Sequence, residues 1–77
     1  MNLTITQALQ QGVSAHKEGK LQEAEKLYRA ILHVQSNHPD ANHNLGILSV
    51  SVGEIDIAIP HLKVALEANP KKEQYWV

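Results

Sequence analysis

The sequence predicts an all-α fold built from repeated antiparallel helix pairs, and three observations carry that prediction. Small and apolar residues recur at one fixed offset: Gly12 and Gly46, Gly19 and Gly53, Ala24 and Ala58, and Leu32 and Leu66 are each 34 residues apart. A period of that length holding two helices is the sequence mark of a helical repeat array. Within each period, apolar residues return at spacings of three and four, the signature of a helix with one buried face. Glycines then break each period near its middle, where Gly19 and Gly53 can take the left-handed conformation that closes a helix cheaply.

The elements follow in order. Thr4-Ile5-Thr6-Gln7 reads as a capping box, with Thr4 as N-cap and Gln7 reaching back to it. A first helix is expected to about Glu18, with Ile5, Ala8, Leu9, Gly12 and Ala15 as its apolar set. Glu18-Gly19-Lys20 is the turn. A second helix spans about Leu21 to Val34 and buries Leu21, Ala24, Leu27, Tyr28, Ile31 and Leu32. Glu25 and Arg29 sit one turn apart on its solvent face and are expected to pair, for a few tenths of a kcal/mol.

Gln35-Ser36-Asn37-His38 is the loop between periods. Pro39 suits the first turn of a third helix, where Asp40 favours the positive end of the helix dipole. That helix is expected to reach about Val52. A fourth runs from Ile55 or Asp56 to Ala68, with Asn69-Pro70 as its stop. Pro60 has no donor, so the first turn of this helix is expected to be distorted or late in starting. Lys71 to Val77 starts a fifth helix.

Leu45-Gly46, Gly53, Ala58, Leu62, Ala65 and Asn69-Pro70 together resemble a tetratricopeptide repeat. Gly12, Gly19, Ala24, Tyr28 and Ile31 resemble a weaker copy of it. The resemblance implies a right-handed superhelix of helix pairs forming a single domain over 1–77. Residues 5–38 would be one repeat, 39–72 a second, and 73–77 the start of a third or a capping helix. Trp76 falls where the family favours a tryptophan. On this reading the chain is the N-terminal part of a longer bacterial protein.

Composition narrows the function. Seven lysines and arginines against eight aspartates and glutamates leave a formal charge of −1, without the basic excess that phosphate-driven nucleic-acid binding needs. The same balance offers no attraction to an anionic membrane, and no apolar run has transmembrane length. There is no cysteine, so a disulfide framework and cysteine-containing zinc sites are excluded. With no leader pattern at Met1–Thr6, the expectation is a soluble, cytoplasmic chain.

Five histidines are present: His16, His33, His38, His43 and His61. None lies three or four residues from another on one helix, as a metal site would want, so they read as solvated or capping groups and no metal or cofactor is expected. Glu18, Glu23, Glu25, Asp56 and Glu67 read as exposed helix faces. No serine has a nucleophile-elbow context. The chain is not expected to be an enzyme by itself.

The resemblance also implies a concave groove lined by the first helix of each repeat. Thr6, Leu9, Gln10, Val13, His16 and Lys17 would come from the first repeat. Asp40, His43, Asn44, Ile47, Val50 and Ser51 would come from the second. Chaperone-adaptor members of the family hold a terminal carboxylate with a lysine and asparagines. Here Asn44 matches one asparagine, but Leu9 and Val13 stand where the lysine and the other asparagine belong, which rejects that clamp. Asn44 also matches the asparagine ladder of O-linked N-acetylglucosamine transferase, with Gln10 as its counterpart one repeat earlier. Leu9, Val13, Ile47 and Val50 add an apolar stripe.

The expected function is therefore a protein-interaction module or scaffold that binds a peptide or partner helix through Leu9, Gln10, Val13, His43, Asn44, Ile47 and Val50. Self-association, including a homodimer through the groove or the uncovered last helix, is expected to use Leu62, Leu66, Tyr75 and Trp76. The alternative is an accessory domain of a larger enzyme. The Asn37-His38-Pro39-Asp40-Ala41 junction is similar to that of bacterial repeat proteins carrying a glycosyltransferase, sulfotransferase or methyltransferase domain.

Overall fold

The computed structural model describes residues 3–68. They form four α-helices: α1 (Ile5–Lys17), α2 (Leu21–Val34), α3 (Pro39–Ser51) and α4 (Ile55–Ala68). Among the described residues there is no strand. α1 pairs with α2 and α3 with α4, while α3 also packs across α2 and touches α1. The fifth helix start expected at Lys71–Val77, with Tyr75 and Trp76, lies outside the described residues.

The predicted punctuation is realised at both hairpins. Thr4 and Gln7 close a reciprocal capping box: the Gln7 N–H donates to Thr4 Oγ1 at 3.1 Å, and the Thr4 N–H donates to Gln7 Oε1 at 2.9 Å. α1 and α3 then end the same way. Gly19 and Gly53 adopt φ of 79° and 82°. The N–H after each reaches back five residues, Lys20 to the Ala15 carbonyl at 2.8 Å and Glu54 to the Ser49 carbonyl at 2.8 Å. This closure satisfies carbonyls that the end of a helix otherwise orphans.

The core has two parts. Ala15, Ala24, Tyr28, Leu45 and Leu48 form one cluster, and Ala8, Leu27, Ile31 and Ala41 the other. Leu9 and Leu32 pack against both. Tyr28 and Leu45 are 0% exposed. Burying an aliphatic side chain of that size contributes roughly 1.5–3 kcal/mol, so Leu45 and its neighbours supply much of what joins the two hairpins. Gly12 and Gly46 let the helices of each hairpin approach. A Cβ on Gly12 would lie 2.6 Å from Tyr28 Cε1, and one on Gly46 would lie 2.6 Å from Leu62 Cδ2.

α4 starts at Ile55, within the expected Ile55–Asp56 range, and two N–H groups close its first turn on the Glu54 carbonyl: Ile57 at 3.2 Å, a tighter three-residue bond, and Ala58 at 3.0 Å. Pro60 lies inside the helix. It cannot donate to the Asp56 carbonyl, but both residues are exposed, so water can take that place and the helix runs through. The Glu25–Arg29 pair forms as expected, with Arg29 Nε 2.9 Å from Glu25 Oε2.

The two ends of the stack differ in character. Leu45 and Leu48 of α3 are buried over α2, whereas Gln11 and Ser14, 34 positions earlier on α1, are exposed. They line a shallow depression of about 640 Å³ with Glu18, Lys20, Glu23 and Lys26 around it. At the other end, Ile55 and Ile59 are 48% and 59% exposed, beside half-buried Leu62 and Leu66. Helical geometry puts these four on one stripe of α4.

Candidate functional site: the face of α1 and α3

α3 carries the most exposed apolar side chains among the groove candidates. Ile47 and Val50 are each 45% exposed. Three residues apart on a helix, they share a face. His43, one turn before Ile47, and Asn44 are half-buried. Burial pushes His43 below its ordinary titration range, while the Asp40 carboxylate opposes that shift. On α1, Val13 is half-buried.

Two candidates depart from a pure groove role. Leu9 is half-buried and packs against both core clusters, so much of it is committed to structure. Gln10 is exposed and lines the end-face depression with Gln11 and Ser14. At about 100° per residue it has turned from the Leu9 direction toward the end of the stack. His16 is oriented by Tyr28, with the rings edge-on at a centroid distance of 6.3 Å and Nδ1 3.5 Å from the Tyr28 hydroxyl. Burial raises that hydroxyl above the usual tyrosine range.

Sequence reasoning missed a buried polar cluster where the hairpins meet. Asn42 is 2% exposed. Its Nδ2 donates to the Ser36 carbonyl at 3.0 Å and the His38 carbonyl at 2.9 Å, and its Oδ1 lies 2.9 Å from His61 Nδ1. One side chain thus ties the 35–38 loop to α4. With both carbonyls on the amide nitrogen, the amide orientation is fixed and His61 Nδ1 must be the donor. Burial, then the Arg29 charge, pushes His61 below its ordinary range.

His38 plays the opposite part, since its Nδ1 accepts from the Ala41 N–H at 3.1 Å and caps α3. Among the described residues no buried side-chain N or O lacks a partner. The signal for this cluster was present in the repeat itself. Asn42 and His61 stand 34 positions after Ala8 and Leu27, which share an apolar cluster in the first hairpin. An apolar pair has been replaced by a hydrogen-bonded one.

Among the described residues, no three histidines and carboxylates gather as a metal site would require, and no helix is long and apolar enough to cross a membrane. Leu62 and Leu66, the self-association candidates that are described, are half-buried on the α4 stripe. A comparison with curated proteins gives no match. A family model described as Tetratricopeptide repeat matches residues 15–76, most of the chain. Repeats of this kind are in general protein-interaction modules, and the family is typically non-catalytic. Helix pairs offset by 34 residues, glycine-closed hairpins and the matching family model together make this chain a member of the tetratricopeptide-repeat family.

Proposed function

We propose that the chain is a protein-interaction module, with residues 5–38 and 39–72 as its two repeats, that docks a largely apolar peptide or partner helix on the face of α1 and α3. The observation that carries this reading is the pair Ile47 and Val50, two branched aliphatic side chains each 45% exposed on one helix face. Val13 and part of Leu9 extend the apolar surface. His43, Asn44 and, at its edge, Gln10 supply hydrogen-bonding groups that fix register. Lys17 and Asp40 are the charged residues assigned to this face, and they balance. The favoured occupant is therefore neutral and apolar rather than an acidic tail.

The test is selection of peptides from a displayed library on the immobilised chain, followed by calorimetric titration of the selected peptide. Ile47→Asp is expected to weaken binding at least tenfold while the far-ultraviolet circular dichroism stays unchanged, the size of a loss at a central anchor. Equal binding by the variant overturns the site.

A second reading rests on a different observation, the exposed Ile55 and Ile59 beside Leu62 and Leu66 on α4. On it, two copies associate through that stripe, and light scattering over a concentration series is expected to show a dimer that Ile59→Glu abolishes. A monomer at all concentrations overturns it. The reading of the chain as the accessory part of a glycosyltransferase, sulfotransferase or methyltransferase rests on the Asn37–Ala41 junction alone and draws nothing from the geometry.

A further inference from the structure

The two histidines at the junction of the hairpins hold their hydrogen bonds in opposite protonation geometries, and only one of those bonds survives acid. His61 donates from Nδ1 to Asn42 Oδ1 at 2.9 Å. A protonated imidazole carries N–H on both nitrogens, so this bond persists when His61 is charged. His38 accepts at Nδ1 from the Ala41 N–H at 3.1 Å. Once protonated, it has no acceptor left, and two N–H groups face each other. Its charge would also sit at the positive end of the α3 dipole.

We propose that His38 is an acid-releasable cap: protonation frees the first turn of α3 from the 35–38 loop, while the Asn42 clamp between that loop and α4 stays closed. The clamp consists of the Asn42 Nδ2 bonds to the Ser36 and His38 carbonyls at 3.0 and 2.9 Å together with the His61 contact. The charged and titratable groups bearing on the junction come from three helices, α4 supplying His61 itself. α2 sends Arg29, which disfavours charge on His61 and is itself paired with Glu25. α3 sends Asp40, in its first turn, and His43, on which Asp40 acts. Asp40 tempers the dipole penalty at the α3 N-terminus, while the bond that Ala41 makes goes to His38 Nδ1. The release is therefore local: it loosens one end of α3 without separating the hairpins.

The experiment is residue-resolved NMR on the full chain at pH 7.5 and 5.5. At pH 7.5 the imidazole nitrogen shifts are expected to show His38 unprotonated at Nδ1 and His61 protonated at Nδ1. On acidification the exchange protection of the Ala41 amide is expected to fall about fivefold, the scale of a lost helix cap, while the His61 Nδ1–H signal is retained. His38→Asn supplies a side-chain oxygen that does not titrate in this range, so the fall should vanish in that variant. A protonated Nδ1 on His38 at pH 7.5, unchanged Ala41 protection at pH 5.5, or an equal fall in His38→Asn would each overturn the proposal.

Discussion

Gly12→Ala and Gly46→Ala add the same methyl at equivalent places in the two hairpins, and they should cost different amounts. At Gly12 the new Cβ would lie 2.6 Å from Tyr28 Cε1 and 3.0 Å from Cδ1. Tyr28 is 0% exposed and packed between α1 and α3, and its ring cannot bend away. Overpacking of this kind costs roughly 1–3 kcal/mol. The gain from replacing a mid-helix glycine by alanine offsets about 0.5–1 kcal/mol. The net expectation is a loss of roughly 0–2.5 kcal/mol, with about 1 kcal/mol as its middle. At Gly46 the distances are nearly the same, 2.6 Å to Leu62 Cδ2 and 2.7 Å to Cγ, with the Ala58 carbonyl at 3.4 Å. Leu62, however, is half-buried and flexible about two side-chain torsions, where Tyr28 is a fully buried rigid ring. The helix gain then nearly cancels the cost, leaving the variant within about 0.5 kcal/mol of the parent.

Urea denaturation followed by circular dichroism measures both variants by linear extrapolation. A double-mutant cycle sharpens the comparison. Tyr28→Leu installs the residue found at the equivalent site of the second hairpin, and in the Gly12→Ala background it should show a favourable coupling of at least about 1 kcal/mol. Equal stabilities for the two alanine variants, or a costlier Gly46→Ala, would refute the claim that neighbour freedom rather than distance sets the penalty.

Other perturbations have equally definite outcomes. Gly19→Ala and Gly53→Ala meet nothing within 4 Å, so each should lose only the left-handed backbone penalty, about 1–2 kcal/mol, and thermal melts of the two should shift alike. Asn42→Ala removes a donor from two carbonyls and the acceptor of His61, and a destabilisation of roughly 2–3 kcal/mol is expected by urea titration. Stability should also rise with pH up to the ordinary histidine value of 6.5. Burial lowers His43 and His61 below their ordinary 6.5, so in that window the unfolded chain holds more protons than the folded one. Their contribution is fully present above 6.5 and is lost as pH falls through the lowered values, which a series of urea midpoints would record and a His61→Gln variant would blunt.

The sequence made the fold legible because its punctuation is local chemistry. Thr4 with Gln7, Gly19 and Gly53 each specify a helix end through bonds spanning five residues or fewer, Pro39 does so through its fixed φ, and the 34-residue offset repeats the glycine turns. Pro60 left the first turn of α4 undecided in the sequence, because its cost depends on whether water reaches the Asp56 carbonyl, which only the fold decides. Asn42 and His61 were not legible one residue at a time. A lone asparagine in a helix reads as surface, and 19 residues separate it from its partner. The proposed docking face was legible only as a helix face: Ile47 and Val50 are exposed on α3, but the commitment of Leu9 to two core clusters depends on how the hairpins pack.

The unlike ends of the stack decide which part of this chain can be duplicated. A tandem copy of residues 39–72 would present Leu45 and Leu48 to the Ile55, Ile59, Leu62 and Leu66 stripe of the copy before it, the kind of contact α3 already makes with α2. A tandem copy of residues 5–38 would instead bring Gln11 and Ser14 against Tyr28 and Leu32, burying an amide and a hydroxyl without partners. Extending the array by gene duplication, or by design, is therefore open to the second helix pair as it stands. The first pair needs Gln11→Leu and Ser14→Leu before it can occupy any position but the first.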